Sequence, residues 1–295
     1  IWPDGSGTAR LFASGGFFTP DGRARMVAPA APALAASLSE VWPLRLITGR
    51  IRDQWHTMTR TGRSARLGSH RPVPFLEIHP EDAERAGLAE GDLARVTSVT
   101  GVAVLEVVVT AKQAPGTLFA PIHWTAETSS HGRIGGVVNG TVDPVSGQPE
   151  AKATPVRVAP EPACLRGFVL SRAPLRLPAG TWWAKAAIAG GWGTLFAAQG
   201  SARDFAAAVP DLFVDAELAE YADASAGIYR VAAFVGDRLS AVLFVGPAAD
   251  RPRWEDAKAM FAEPADDLAG RAAVSGVAAG PDQGPLVCSC FGVGL

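Results

Sequence analysis

The sequence predicts a mainly β fold: a closed β-barrel followed by a small α+β module. Three observations carry that expectation. Short apolar runs bounded by turn residues, spaced about 8 to 12 positions apart, fill residues 41–160 with one short helical pattern among them. A Pro160-Glu161-Pro162 break then separates this region from a stretch that mixes helical and strand periodicities. Within that stretch two alternating runs flank Gly236-Asp237, the sequence signature of a hairpin.

Residues 1–40 read as a loop-rich lead-in, with turn chemistry at Pro3-Asp4-Gly5 and Pro20-Asp21-Gly22 and an Ala/Pro-rich tether at 28–36. The barrel region, 41–160, opens on the apolar run 44–47. Phe75-Leu76-Glu77-Ile78 is a short strand, and residues 80–86 form a short helix that Pro80 opens and Gly87 closes. The turn Glu90-Gly91-Asp92 leads into a strand at 93–99, and Thr100-Gly101 joins it to a second at 102–110 as a hairpin. Pro115-Gly116 turns into a last clear strand at 117–121.

In the module at 161–280, the Ala/Gly-rich stretch 182–200 reads as a buried helix or loop. Residues 204–209 and 216–224 look helical by their Ala and Glu content. The alternating runs 227–235 and 238–245 form the hairpin, and 254–261 is a helix. The Gly/Pro-rich 276–285 is a linker, and 281–295 begin a further unit.

A length of 295 residues suits about two domains, and 48% hydrophobic with 19% charged residues suits a soluble protein with an ample core. The net charge of -2 excludes the domain-wide basic excess of a nucleic-acid-binding protein. Stretch 182–200 holds Lys185 and lacks the apolar length of a membrane span. Three cysteines make no disulfide framework, so a reducing compartment, the cytoplasm, is expected. Ile1 at the start and Gly294-Leu295 at the end lead us to expect an excerpt of a longer polypeptide.

Against the acidic balance of the whole chain, residues 45–71 hold seven arginines and one acid, Asp53. The run Thr48-Gly49-Arg50-Ile51-Arg52-Asp53-Gln54-Trp55-His56-Thr57 follows the first apolar strand directly. Its chemistry suits a large anion. Arginine forks bind phosphate bidentately, Gly49 allows close backbone approach, and Trp55 and His56 offer flat surfaces to a base. Of the other histidines, His70 and His131 read as loop residues and His79 as a strand-end structural residue. Asp82, Glu84, Glu90 and Asp92 read as a solvated helix and turn.

This run resembles the pterin-dinucleotide grip of the molybdopterin oxidoreductases, and its continuation Met58-Thr59-Arg60-Thr61-Gly62 is most similar to the assimilatory nitrate reductases. Residues 11–25 resemble the passage that precedes the last cofactor-binding domain of the same enzymes. The resemblance implies a double-psi β-barrel and the C-terminal part of a molybdenum enzyme that reduces nitrate to nitrite. It implies bis-molybdopterin guanine dinucleotide as cofactor, bound by Thr48, Gly49, Arg50, Arg52, Gln54, Trp55, His56 and Thr57. Asn139 and Lys152 join them, because their spacing around Asp143-Pro144 is similar to that of cofactor-contacting residues in nitrate reductases. Arg133 and His131 stand close enough in sequence to help draw an oxyanion inward. The molybdenum ligand and a 4Fe-4S cluster are expected upstream of Ile1, so no catalytic residue is assigned here.

Cys288-Ser289-Cys290 is the remaining signal. As an isolated pair it is compatible with a metal site, a redox disulfide or inert core cysteines. The phrase resembles the opening of the 2Fe-2S domain of bacterioferritin-associated ferredoxin, which implies Cys288 and Cys290 as two of four cluster ligands in the intact protein. The implied partners are nitrate and an electron donor, either ferredoxin, flavodoxin or a nicotinamide-dependent reductase, with no nucleic acid and no membrane. A formate dehydrogenase sharing the barrel, or a non-catalytic nucleotide-binding barrel, are the alternative readings.

Overall fold

The computed structural model describes residues 10–30, 33–207, 213, 215–236, 238–249, 254–262, 286–288 and 293–294. The chain divides into two compact units, Ile1–Leu34 and Ala35–Leu295. In the first, turns prevail, and Phe12 stacks on Phe17 with ring centroids 4.8 Å apart.

The second unit begins with six strands and two short helices. They are β1 (Leu44–Gly49), α1 (Ala65–Ser69), β2 (Phe75–Ile78), α2 (Pro80–Ala86), β3 (Leu93–Thr97), β4 (Val102–Val109), β5 (Thr117–Pro121) and β6 (Thr154–Pro160). The strands close into a barrel in the order β1-β5-β2-β4-β3-β6, as the turn spacing predicts. Alternation drives the closure: Leu44, Leu46 and Thr48 point inward and are buried, while Arg45 and Ile47 are half-buried. Leu46, Leu76, Ile78, Leu105, Leu118 and Val156 fill the interior with no exposed surface. His79 caps α2, its ring nitrogen accepting from the Glu81 N–H, and Gly87 ends the helix at φ +65°.

Two of the pairings, β1 with β5 and β2 with β4, are parallel. A parallel neighbour cannot be reached by a tight turn, so the chain must leave the barrel mouth and travel. Gly49 lies opposite Pro121 at the parallel ends of β1 and β5, and Leu46 lies opposite Thr154 at the start of antiparallel β6. Segments 50–74, 122–132 and 139–153 therefore converge on one end of the barrel. This topology, rather than local propensity, builds the site described below.

The chain continues through β7 (Leu165–Ser171), β8 (Trp182–Ile188), β9 (Gly191–Ala198), α3 (Ala202–Ala207), β10 (Glu217–Asp223), β11 (Ile228–Val235), β12 (Arg238–Pro247) and α4 (Glu255–Ala262). The strands make one antiparallel sheet in the order β10-β11-β12-β7-β9-β8. Alternate residues of β7 serve opposite faces. Phe168 and Leu170 pack with Trp254 and Phe261 at α4, whereas Val169 packs with Phe205 of α3. Beyond these, β13 (Leu286–Cys288) pairs with β14 (Val293–Gly294).

Two segments depart from the sequence expectation. Stretch 182–200 is the hairpin β8–β9 rather than a helix or loop: Gly190, at φ +79°, makes the turn, and the pattern of Trp182, Ala184 and Ile188 in, Trp183 and Lys185 less so, has period two. Residues 216–224 form not a helix but edge strand β10, because seven residues pair with β11 and override a weak local helical preference. The helix expected at 204–209 is α3 as far as Ala207; residues 208 and 209, and the linker at 276–285, lie outside the described residues.

Candidate functional site

The loop that leaves β1 has a buried side and an exposed side, and the sequence does not distinguish them. Asp53, Gln54 and Met58 are buried, whereas Arg50, Arg52, Trp55, His56, Thr57, Thr59 and Arg60 are exposed. Asp53 Oδ2 pairs with His70 Nδ1 at 2.5 Å, and its Oδ1 accepts from Arg52 Nε at 3.0 Å. Gln54 Nε2 donates to the Leu67 carbonyl of α1 at 3.2 Å. Met58 packs with Phe75 and Trp124. The contacts to Leu67, His70 and Phe75 tie the loop to the return path of its own connection, residues 65–75, and Trp124 ties it to the segment after β5.

A second anchor comes from the connection after β5. His123 is fully buried, accepts the Ile51 N–H at Nε2 (2.9 Å) and lies 2.6 Å from the His56 carbonyl at Nδ1. An N–H must face a lone pair and a carbonyl must face a proton, so the partners select the neutral ring protonated at Nδ1. Burial lowers its pKa; the nearby Arg50 and His56 charges act in the same direction, and only the hydrogen bond to the His56 carbonyl opposes them. The loop motif points to His56, whereas His123, two residues beyond the end of β5, gains its role only from the parallel pairing of β5 with β1.

Held at both ends, residues 56 and 58 take left-handed backbone, φ +43° and +62°. Such conformations in non-glycine residues persist where surrounding contacts enforce them. The result is an outward platform. The Arg50 guanidinium lies 4.9 Å from the Trp55 ring centre, and the Trp55 and His56 rings meet edge-on at 4.6 Å. Trp55 keeps 55% of its surface exposed, so its ring is available to a flat ligand.

Beside the platform, Lys152 donates to the Thr48 carbonyl, and its Nζ lies 3.8 Å from where a Cβ on Gly49 would stand. An ammonium has three N–H groups, so two remain for another acceptor. The Thr48 hydroxyl, by contrast, donates to the Ala151 carbonyl at 2.6 Å inside the barrel wall. Asn139 holds its own turn: Nδ2 donates to Glu150 and Oδ1 accepts the Thr141 N–H. Thus Arg50, Trp55, His56, Thr57 and Lys152 offer open surface, Thr48 and Gln54 stand behind it, and Gly49 is occupied by its contact with Phe119.

His131 and Arg133 are exposed, His131 against the Ser130 hydroxyl. Cys290 and the Cys288 side chain lie outside what is described. Among the described residues no group of three His, Cys, Asp or Glu side chains could hold a metal ion, and no helix is long and apolar enough to cross a membrane. Cys164 is a free, exposed thiol. What the mouth does fit is a phosphorylated, flat ligand: cations at Arg50 and Lys152 and an aromatic face at Trp55.

Residues 44–155 match the family model of the molydopterin dinucleotide binding domain. The chain is 45% identical over 170 residues to a nitrate reductase of Klebsiella oxytoca, covering 58% of this chain and 20% of that protein. It is 30% identical over 165 residues to the assimilatory nitrate reductase catalytic subunit of Bacillus subtilis, covering 54% and 22%. To the periplasmic nitrate reductase of Desulfovibrio desulfuricans it is 32% identical over 139 residues, covering 47% and 18%. The chain spans about a fifth of the length of the curated relatives it matches. The segment that matches the dinucleotide-binding family model contains the barrel mouth and its loop.

Proposed function

We propose that this chain forms part of the cofactor grip of an assimilatory, cytoplasmic nitrate reductase. The observation that carries the reading is the exposed Arg50-Trp55-His56 platform beside Gly49 and Lys152, inside the segment that matches the dinucleotide-binding family. Arg50 and Lys152 neutralise pyrophosphate oxygens, Gly49 makes room for the Phe119 ring at the end of β1, and Trp55 and His56 face the pterin or guanine edge. Arg52, Thr57 and Asn139 complete the rim. Thr48 and Gln54 act from behind it by fixing the course of the loop. When bound, the molybdenum cofactor supplies two-electron oxygen-atom transfer, converting nitrate, two protons and two electrons to nitrite and water.

In this reading residues 41–160 form a double-psi barrel and 161–280 a separate α+β module. Residues 281–295 open a 2Fe-2S domain in which Cys288 and Cys290 are two of four ligands, the entry point for electrons from a protein donor. A 4Fe-4S cluster and the metal ligand belong to preceding sequence. The choice of the assimilatory, cytoplasmic type rests on the loop's continuation Met58-Thr59-Arg60-Thr61-Gly62, on the Cys288-Ser289-Cys290 phrase and on three cysteines that make no disulfide framework.

The test is extraction of pterin from the intact enzyme, identified by fluorescence with guanine quantified beside it, and turnover with nitrate and with formate. Guanine-pterin with nitrate turnover is expected. Formate turnover assigns the sibling dehydrogenase activity, and a pterin-free protein leaves only a nucleotide-binding barrel. Replacing Arg50 and His56 together must lower cofactor content; full content with unchanged activity overturns the proposed grip.

A further inference from the structure

The six-stranded sheet presents its edge strand β8 to the back of the loop, and the barrel's own chain covers that edge. Lys185 N–H donates to the Thr128 carbonyl at 2.8 Å, Ser130 N–H to the Trp183 carbonyl at 3.0 Å, and Trp183 N–H to the Ser130 hydroxyl at 2.9 Å. Ser129 and Ala184 form an antiparallel bridge. Segment 128–130 is thus an added strand on the sheet, five residues beyond His123. The joint is also apolar: Trp182, Ala184 and Ala197 bury against Val73, Leu93 and Val104, with the Trp182 indole donating to the Val104 carbonyl at 3.0 Å.

Helix α1 rests on the same strand. A Cβ at Gly68 would stand 3.7 Å from Ala186 Cβ and 3.8 Å from the Ala187 carbonyl, ordinary van der Waals distances, so a methyl group fits there while a longer side chain would face β8. From α1 the contacts run on to the loop: Leu67 receives Gln54, and His70 receives Asp53. Between loop and sheet lies a small cavity lined by Gln54, Met58, Trp124, Thr128, Lys185 and Trp192 among others. Gln54 Oε1 is the one buried side-chain polar atom without a hydrogen-bond partner among the described residues.

Two physical routes therefore join β8 to the platform. One passes through α1 to Asp53 and Gln54; the other passes through 128–130 to His123, and so to Ile51 and His56. We infer that the sheet is a positioning element for the barrel-mouth loop, with Gly68 and Ala186 at its seat. The sheet touches no ligand; it holds Arg50, Trp55 and His56 in their geometry from behind. The mechanical link stands on contacts alone, whereas the nature of the ligand rests on the function proposed above.

The test compares Gly68→Leu, which wedges α1 from β8, with Gly68→Ala, which meets only ordinary van der Waals distances. Ala186→Val enters the same joint from the sheet side and answers for the case in which Gly68→Leu does not fold. Amide hydrogen exchange across residues 50–58 and calorimetric titration with GDP are the two readouts. Gly68→Leu or Ala186→Val is expected to speed exchange of the Ile51 and Met58 amides by about tenfold or more while β2 and β4 keep their protection, with Gly68→Ala unchanged. GDP affinity is expected to fall by a similar factor. Loop exchange unaltered in folded wedge variants overturns the inference. Loss of protection with no GDP binding even by the parent chain keeps the positioning role and overturns the ligand assignment instead.

Discussion

His123 is bound through Nδ1 to the main-chain oxygen of His56 at 2.6 Å, while its other ring nitrogen accepts the Ile51 N–H at 2.9 Å. One ring thus closes a six-residue arc of loop whose outer side chains are Arg52, Trp55 and His56. Replacing it by a ring of similar size without polar atoms, His123→Phe, leaves a part-buried N–H and a part-buried carbonyl without their partner. A fully buried group of this kind costs about 1–3 kcal/mol, so with water able to reach both a loss of about 1–3 kcal/mol in total is expected. Urea unfolding with an unchanged m-value checks it; a loss below about 1 kcal/mol rejects the ring as the anchor.

The same ring makes the fold pH-sensitive. Burial holds the His123 pKa below its ordinary value of 6.5, so the native state carries fewer protons than the unfolded chain between those two values. Its contribution is fully present above 6.5 and is lost as pH falls through the lower, native value. Melting curves from pH 8 down to pH 5 are expected to converge for the parent protein and His123→Phe. Parallel curves across that range exclude His123 as the titrating group.

Much of the barrel was legible because its information is local. Phe75 to Ile78, Pro80 to Ala86 and the pair flanking Thr100-Gly101 each carry their own periodicity, cap or turn. The basic loop was legible as a unit for the same reason, since its residues are contiguous. What sequence could not show is which of them face inward. Asp53 and Gln54 read like Arg52 and Trp55 until residues 67 and 70 are placed against them, and that placement follows from the long connection between β1 and β2, which flank β5 on either side. Strands β8 and β10 were lost to Ala-rich composition, because pairing partners and not propensity decide such segments.

Asp53 and His70 lie seventeen positions apart yet meet at 2.5 Å, with the Asp53 carboxylate nearly buried. Their energies are expected to be coupled. Asp53→Asn and His70→Gln each should cost about 1–2 kcal/mol, and the double variant markedly less than the sum, with an interaction energy of about 1 kcal/mol or more. Additive losses in chemical denaturation indicate that the contact does no more than fill space.

Gly49 matters for room rather than for backbone freedom. A Cβ there would come 2.8 Å from Cε2 of Phe119, whose ring is held between Phe75 and the barrel wall. Gly49→Ala is expected to cost about 1–3 kcal/mol as overpacking. Thermal unfolding checks it; an unaltered melting temperature refutes the crowding.

His56 separates folding from binding most cleanly, because its backbone and its ring have different tasks. At φ +43° a residue with a Cβ is strained and glycine is not. The carbonyl that His123 holds belongs to the main chain and survives any substitution. His56→Gly is therefore expected to be at least as stable as His56→Ala, by about 1 kcal/mol, although glycine is elsewhere the costlier replacement. Both variants lose the ring that meets Trp55 edge-on, so both should bind GDP, and load pterin in the intact enzyme, equally poorly. If His56→Ala is the more stable of the two, the left-handed turn is not enforced by His123. If both retain parent-level binding, the ring is not part of the grip and Arg50 with Trp55 carries that face alone.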